Sequence, residues 1–321
     1  MARYVLRRFA FLLVSLALAS VVLFVLLRML PGDPANALTS VGATDEQIAA
    51  AREAIGSDRP LPEQFVHWVG QLASGDLGTS FVSSLPVGPE VTTRLEVTVP
   101  LTLAAFVLAV LIAVPAGFVA AHKRHTWYGA LLNWVSQLGI AIPVFWLGMI
   151  LVVVLAVNAR WFPAGGFPPD GWAEPAEAVR SLVLPVLTIA LVMSASLIRY
   201  VRSATLDVLG SDYLRTARAL GSSFGGAMWR HGLRNASVPV ISVLGIELAS
   251  TLLGAVVVES VFALPGLGSL LTTGISQHDY PVIQGVLFVS TLAVLLIGFA
   301  ADLVQRIVDP RLRAGLSGGP K

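Results

Sequence analysis

The chain runs to 321 residues, of which 55% are hydrophobic and only 12% charged, with a mean hydropathy of +0.79. A soluble domain carries about 25% charged residues, so this composition excludes an ordinary water-soluble fold and describes a chain built for lipid. The net charge of +2 names no partner, nothing marks a nucleic-acid binder, and the absence of cysteine excludes disulfide frameworks, thiolate metal sites and cysteine nucleophiles.

A membrane-spanning helix needs roughly 20 mostly apolar residues. Six stretches qualify: 9–29, 97–121, 131–157, 181–198, 238–262 and 283–301. Arg3, Arg7 and Arg8 precede the first, and its Ala17-Leu18-Ala19 resembles a secretory cleavage site. The apolar run continues to Leu27, too long for the core of a signal peptide, so a retained helix is expected. The segment 31–96 follows. Thr44 and Gln47 form a capping box that starts a helix ending near Gly56. Pro62 suits a first helical position; Phe65, Trp68, Val69 and Leu72 then recur on one helical face, and Gly75 ends the run. These features predict a small folded subdomain, either a lid or a receiving surface for a delivering protein.

Prolines 100, 115, 143, 185 and 239 fall within or at the ends of spans, where each removes a backbone hydrogen bond and can bend a helix. Between the fourth and fifth spans lies a basic, helix-forming insert. On its helical wheel Tyr213, Ala217 and Leu220 share one face and Arg215 and Arg218 the other, and Gly221 stops the helix. A short amphipathic helix between spans reads as a docking handle for another protein. The fifth span carries two acids, Glu247 and Glu259. An acid at mid-helix costs at least ~2.5 kcal/mol on insertion scales, so both are functional candidates, as a gate or a contact for a cationic group, or else structural hydrogen-bonding groups. Three turns apart, they lie within roughly 120° of each other.

Charge placement sets the orientation. Of the 21 Lys and Arg residues, all but Arg28, Arg52, Arg59, Arg94, Arg160 and Arg180 fall on one side when the N-terminus is placed inside. The positive-inside rule therefore puts both termini in the cytoplasm. Segment 31–96 then lies outside, where Asp33, Asp45, Glu46, Glu53, Asp58, Glu63, Asp76, Glu90 and Glu96 outnumber Arg52, Arg59 and Arg94.

The loop motif carries a family resemblance. It resembles the cytoplasmic loop of permease subunits of binding-protein-dependent ABC importers, written E-A-A-x3-G-x9-I-x-L-P. Arg215-Thr216-Ala217 stand where E-A-A would, and Gly221 keeps the spacing. His231, Leu233 and Arg234 follow, so the isoleucine and terminal proline are missing and a proline comes only at Pro239. That departure is similar to the dipeptide/oligopeptide branch, with D-Y-x-R-T-A-R-A-x-G and L-R-N-A-x-x-P. Further matches are Leu30-Pro31-Gly32-Asp33-Pro34, Arg59-Pro60-Leu61 and Gly75-Asp76-Leu77-Gly78-Thr79-Ser80. Others follow at Gly254 to Glu259 with Phe262 and Pro265-Gly266-Leu267-Gly268, and at Asp309-Pro310-Arg311-Leu312-Arg313.

The resemblance implies an all-α membrane protein of six transmembrane helices in the type I importer permease fold. It divides the chain into a first helix with its cytoplasmic end (1–30), an extracytoplasmic subdomain (31–96), a permease core (97–306) with a coupling loop (203–236), and a cytoplasmic tail (307–321). It implies ATPase coupling through Tyr213, Arg215, Ala217, Arg218, Leu220 and Gly221. Glu247, Glu259 and Phe262 become candidates for the translocation pathway or gate. The implied partners are a second homologous permease, two ATPase subunits or one fused ATPase, and an extracytoplasmic solute-binding protein. The implied setting is the plasma membrane of a prokaryote. The implied cargo is dipeptides or oligopeptides, or, in the same branch, nickel chelates, haem or another small solute.

The residues agree that chemistry resides elsewhere. Neither lysine, Lys123 or Lys321, sits in a Walker A loop, so ATP and Mg are expected on partner subunits. His67, His122, His125, His231 and His278 form no metalloprotease motif, and His122 and His125 flank Lys123-Arg124 in what reads as a basic turn. No serine elbow is present. An ion-coupled secondary transporter, the alternative from another class, should show related halves. Segment 31–96 has no counterpart in the second half.

Overall fold

The computed structural model describes residues 2–29 and 44–308. Among these residues the chain is all helical, apart from one isolated antiparallel bridge between Thr79 and Pro86. The motifs 30–34 and 309–313 lie outside the described residues, as do Asp33 and the tail.

Five helices are long and apolar enough to cross a membrane: α1 (Ala2–Met29), α4 (Val87–His122), α7 (Pro175–Leu209), α10 (Leu233–Val261) and α12 (Tyr280–Val308). At 1.5 Å per residue, α4 and α7 are each roughly 50 Å long, well beyond a ~30 Å hydrocarbon core. Hydropathy marks the lipid-facing length of a helix and not its ends, which is why the expected spans were shorter. The protruding ends carry the insert on one side and the loop helix on the other.

The expected third span, 131–157, takes the form of a broken pair of helices. It forms α5 (Trp127–Ala141) and α6 (Val144–Leu151), the latter continuing as π-helical turns through Asn158. The two arms are bent by 103°. Ile142 between them is extended (φ −82°, ψ 122°), the conformation that a following proline imposes. Pro143 alone breaks a span among the described prolines of this set; Pro100, Pro115, Pro185 and Pro239 stay inside continuous helices.

Helices α4 and α7 form the central pair, α10 packs on α7 and α12, and α1 lies against α12. The α4 seam repeats every fourth residue: Leu101, Ala105, Ala109 and Ala113 are fully buried, followed by Gly117. A Cβ on Gly117 would lie 2.7 Å from the Val201 side chain and 2.9 Å from the Ile198 carbonyl. Lipid tails are as apolar as leucine, so helices associate in a membrane by close packing of small residues. Large side chains gather above and below this seam, with Leu182, Leu184, Val258, Phe262 and Leu264 at the insert end.

The described part of the insert, from residue 44 on, contains both expected short helices. Helix α2 (Asp45–Ile55) has the Thr44–Gln47 capping box and ends at Gly56 in the left-handed region (φ 69°). Helix α3 (Leu61–Ala73) starts one residue earlier than expected, so Pro62 is its second position. Buried Trp68 stacks on Phe24 of α1 at 5.9 Å and meets Phe288 of α12 at 6.4 Å. The insert is thus bolted to the first and last spans by aromatic contacts. Helix α11 (Leu267–Gln277), between α10 and α12, was not expected, although Leu267, Leu270, Leu271 and Ile275 recur at helical spacing.

Candidate coupling surface and pathway residues

Helix α8 (Asp212–Ala219) projects from the end of α7 and returns through α9 (Phe224–Ala227) and a π-helical turn (Met228–Gly232) into α10. Its anchor is Leu214, only 3% exposed, packed with Val208, Ala227 and Met228. Ala217 is half-buried on the same inner cluster, so the face expected to be shared by Tyr213, Ala217 and Leu220 is divided. Tyr213 and Leu220 stay exposed, at 39% and 82%, together with Arg215, Thr216 and Ala219. Arg215 lies 3.6 Å from Asp212 in an open i,i+3 pair. Arg218 sits over the Phe224 ring at 6.0 Å. That ring stacks on His122 at the end of α4 at 4.5 Å, so His122 is a packing group at this end of the bundle.

Gly221 ends α8 with φ +91°, its N–H bonded to the Arg218 carbonyl while Ser222 N–H reaches Ala217. No atom crowds the place of a Cβ, so any cost of substitution there is conformational. The result is a short helix with polar and apolar groups facing solvent, braced against the ends of α4, α7 and α10. Leu214, the residue that fixes it, was missed; its i,i+3 spacing to Ala217 was the available signal.

The two acids of α10 have distinct surroundings. Glu247 is half-buried and accepts a hydrogen bond from Ser196 Oγ of α7 at 2.8 Å. Glu259 is fully buried. It accepts from Thr98 Oγ1 of α4 at 2.6 Å, from Gly268 N–H at 2.7 Å and from Ser269 N–H at 3.4 Å. Thr98 Oγ1 in turn accepts from Leu267 N–H at 2.9 Å. A carboxylate and a hydroxyl therefore satisfy the first N–H groups of α11, which otherwise have no intrahelical partner. The negative charge also faces the positive end of the helix dipole.

Phe262 is 1% exposed, and its carbonyl accepts from Gly166 N–H at 2.8 Å. Glu259 and Phe262 lie together inside the subunit; Glu247 stands apart, three turns along α10. A second fully buried acid, Asp279, precedes α12 and was also missed. It accepts from the Ser80 hydroxyl and, at 3.1 Å, from Phe81 N–H. The Gly78-Thr79-Ser80 part of the insert motif is thereby pinned to the turn between α11 and α12. Among the described residues no cluster of His, Cys, Asp or Glu has the arrangement of a metal site.

Two family descriptions match the chain in succession. Residues 1–104 match the N-terminal part of the binding-protein-dependent transport system membrane component, and residues 113–314 the binding-protein-dependent transport system inner membrane component. The glutathione transport system permease protein GsiC of Escherichia coli O6:H1 is 38% identical over 98% of this chain and 99% of its own length. A probable peptide ABC transporter permease protein, y4tP, of Sinorhizobium fredii is 36% identical over 98% of this chain and 100% of its own. In fold, the chain resembles the inward-facing MetNI methionine ABC transporter with a TM-score of 0.57 at 18% identity, over 68% of this chain and 96% of that one. The chain belongs to the inner-membrane permease subunits of binding-protein-dependent ABC importers, multi-pass and non-catalytic, in the branch that holds these glutathione and peptide permeases.

Proposed function

We propose that this chain forms half of the translocation pathway of an ATP-driven importer of peptide-class solutes, short peptides and glutathione among them. The observation that carries the reading is α8: a short helix with exposed Tyr213, Arg215 and Leu220, its Leu214 set in an apolar cluster that also takes in Phe118 of α4, Val208 of α7 and Ala236 of α10. A push on such a helix moves α4, α7 and α10 together, which is what coupling to an ATPase requires. The names of the two full-length relatives support the cargo.

In this proposal both termini and α8 are cytoplasmic and the insert is extracytoplasmic. A second, homologous permease completes the pathway. Two ATPase subunits, or one fused ATPase, bind ATP and Mg and dock at Tyr213, Arg215, Arg218, Leu220 and the Gly221 turn, with Ala217 supporting the helix from within. A solute-binding protein delivers cargo outside. Glu247 is the acid nearest the pathway, while Glu259 and Phe262 hold the outer end of the core in shape. The test is uptake of labelled short peptides and glutathione by cells that carry the whole system, with and without this chain. ATP-dependent uptake lost on deletion of this chain supports the proposal; proton-driven uptake in its place overturns it. Uptake of nickel chelates or haem alone would leave the machinery and change the cargo.

A further inference from the structure

A cavity of about 520 Å³ opens between the 159–174 loop and the start of α7. That volume falls within the range of small-molecule sites, about 300–1,000 Å³. Phe162, Pro163, Phe167 and Pro168 give it apolar walls. Three charged side chains also line it, Arg160 from the loop and Glu177 and Arg180 from α7, and all three are exposed. Arg160 and Arg180 belong to the few basic residues placed outside, against the positive-inside bias.

The fold holds this cavity in shape. Gly166 N–H donates to the Phe262 carbonyl at 2.8 Å, and a Cβ on Gly165 would lie 2.5 Å from that same oxygen. The loop is thereby pressed onto the end of α10. At the start of the loop, the Arg180 guanidinium donates to the Trp161 carbonyl at 3.1 Å. That bond sets the charged head of Arg180 beside Arg160 and Phe162, the chain neighbours of Trp161, which both line the cavity. Arg160 takes left-handed backbone (φ +58°), which is uncommon for a residue with a side chain. Glu177 and Arg180 stand three residues apart on one face of α7, a spacing that permits an ion pair. They do not form one, and among the described residues Arg160 and Glu177 have no ion pair at all.

Two guanidinium groups with donors to spare ask for a carboxylate, the acceptor they hold best. Glu177 beside them asks for an ammonium. The aromatic and proline walls suit the apolar parts of a small solute. We propose that this cavity binds a short peptide with free ends, its carboxylate on Arg160 and Arg180 and its ammonium toward Glu177. The occupant sits where the loop meets the end of α10, at the approach to the helix core and not within it. Naming a peptide rests on the import reading above; the zwitterion chemistry rests on Arg160, Glu177 and Arg180.

The test is equilibrium dialysis of labelled alanyl-alanine against the purified full-length chain in phosphatidylcholine nanodiscs. Saturable binding is expected. Arg160→Gln and Arg180→Gln should each weaken it about tenfold, the loss of one charge-assisted bond. Glu177→Gln should weaken it about threefold, as for an exposed ion pair. The C-terminal amide should bind weakly and respond little to the arginine variants. The N-acetyl form should respond little to Glu177→Gln. Arg160→Gln and Glu177→Gln alter exposed side chains without ion pairs, so they decide if Arg180→Gln fails to fold. Absence of saturable binding, or binding indifferent to all three variants and to both blocked ends, would overturn the proposal. Loss of dipeptide binding when phosphatidylethanolamine replaces phosphatidylcholine would assign the site to a lipid headgroup and overturn the peptide assignment. Peptide uptake by cells separates the two ideas. Uptake with no such binding site sinks the cavity and keeps the import reading. The expected dialysis result without peptide uptake does the reverse.

Discussion

A carboxylate in an apolar helix is tolerable when its oxygens are used, and Glu259 uses them on Thr98, Gly268 and Ser269. Glu259→Leu leaves a buried hydroxyl and two backbone N–H groups unpaired, at about 1–3 kcal/mol each. Glu259→Gln keeps one acceptor and should lose about 1–3 kcal/mol in all. Thermal melting of the purified chain in detergent should rank wild type above Gln and Gln above Leu; equal midpoints would remove the clamp. Glu247 makes a single side-chain bond, to Ser196, so Glu247→Ala should cost only about 1 kcal/mol. If it faces the pathway, uptake should fall severalfold while melting barely moves; unchanged uptake would make it a helix-contact residue alone. Asp279→Asn should loosen the 77–84 loop, seen as faster amide exchange there, with the core unaffected. Both intramembrane acids stood out in the sequence because charge is rare in lipid. Their partners did not: Thr98 lies 161 residues from Glu259 and Ser196 lies 51 from Glu247. Tertiary packing makes those bonds, and no local pattern encodes them.

Elements whose ends are fixed by neighbouring residues were legible. Thr44 and Gln47 cap α2 through contacts three residues apart, and Gly56 and Gly221 end helices through their own φ. The α4, α7, α10 and α12 spans were legible from apolar length. The break at Pro143 was only half legible, because four other prolines in similar settings leave their helices whole. What separates them is packing: α6 is held against α7 and α10 beyond the bend. Helix α11 was half legible: Leu267, Leu270, Leu271 and Ile275 keep a helical spacing, but its start is capped from α10 and α4 and not by a residue beside it. For α8 the wheel found the helix but not its orientation, which depends on what Leu214 meets. This changes which substitutions report docking. Leu214→Asp should detach α8 from the bundle, costing about 2–5 kcal/mol from lost packing and a buried charge, and lower the melting temperature. Ala217→Trp should also disturb the inner cluster. Thr216→Trp and Ala219→Trp point outward and should leave melting within about 0.5 kcal/mol of wild type.

At the scale of the molecule, the small-residue seam of α4 and α7 makes one rigid unit, with the insert on one end and α8 on the other. The proposed orientation has a direct check in a chain without cysteine. Thr79→Cys and Arg218→Cys, both at exposed positions, should react with a membrane-impermeant thiol reagent from opposite sides. Labelling of position 218 from outside with position 79 protected would invert the topology.

The central claim is that α8 transmits ATP-driven motion to the spans, and one measurement tests it most directly. The complete importer is reconstituted in liposomes, and ATP hydrolysis is recorded with and without loaded binding protein. Wild type should show stimulated hydrolysis. The Thr216→Trp, Ala219→Trp double variant should melt and insert normally yet lose assembly with the ATPases or lose the stimulation. Full assembly with full stimulation in that variant would contradict the account.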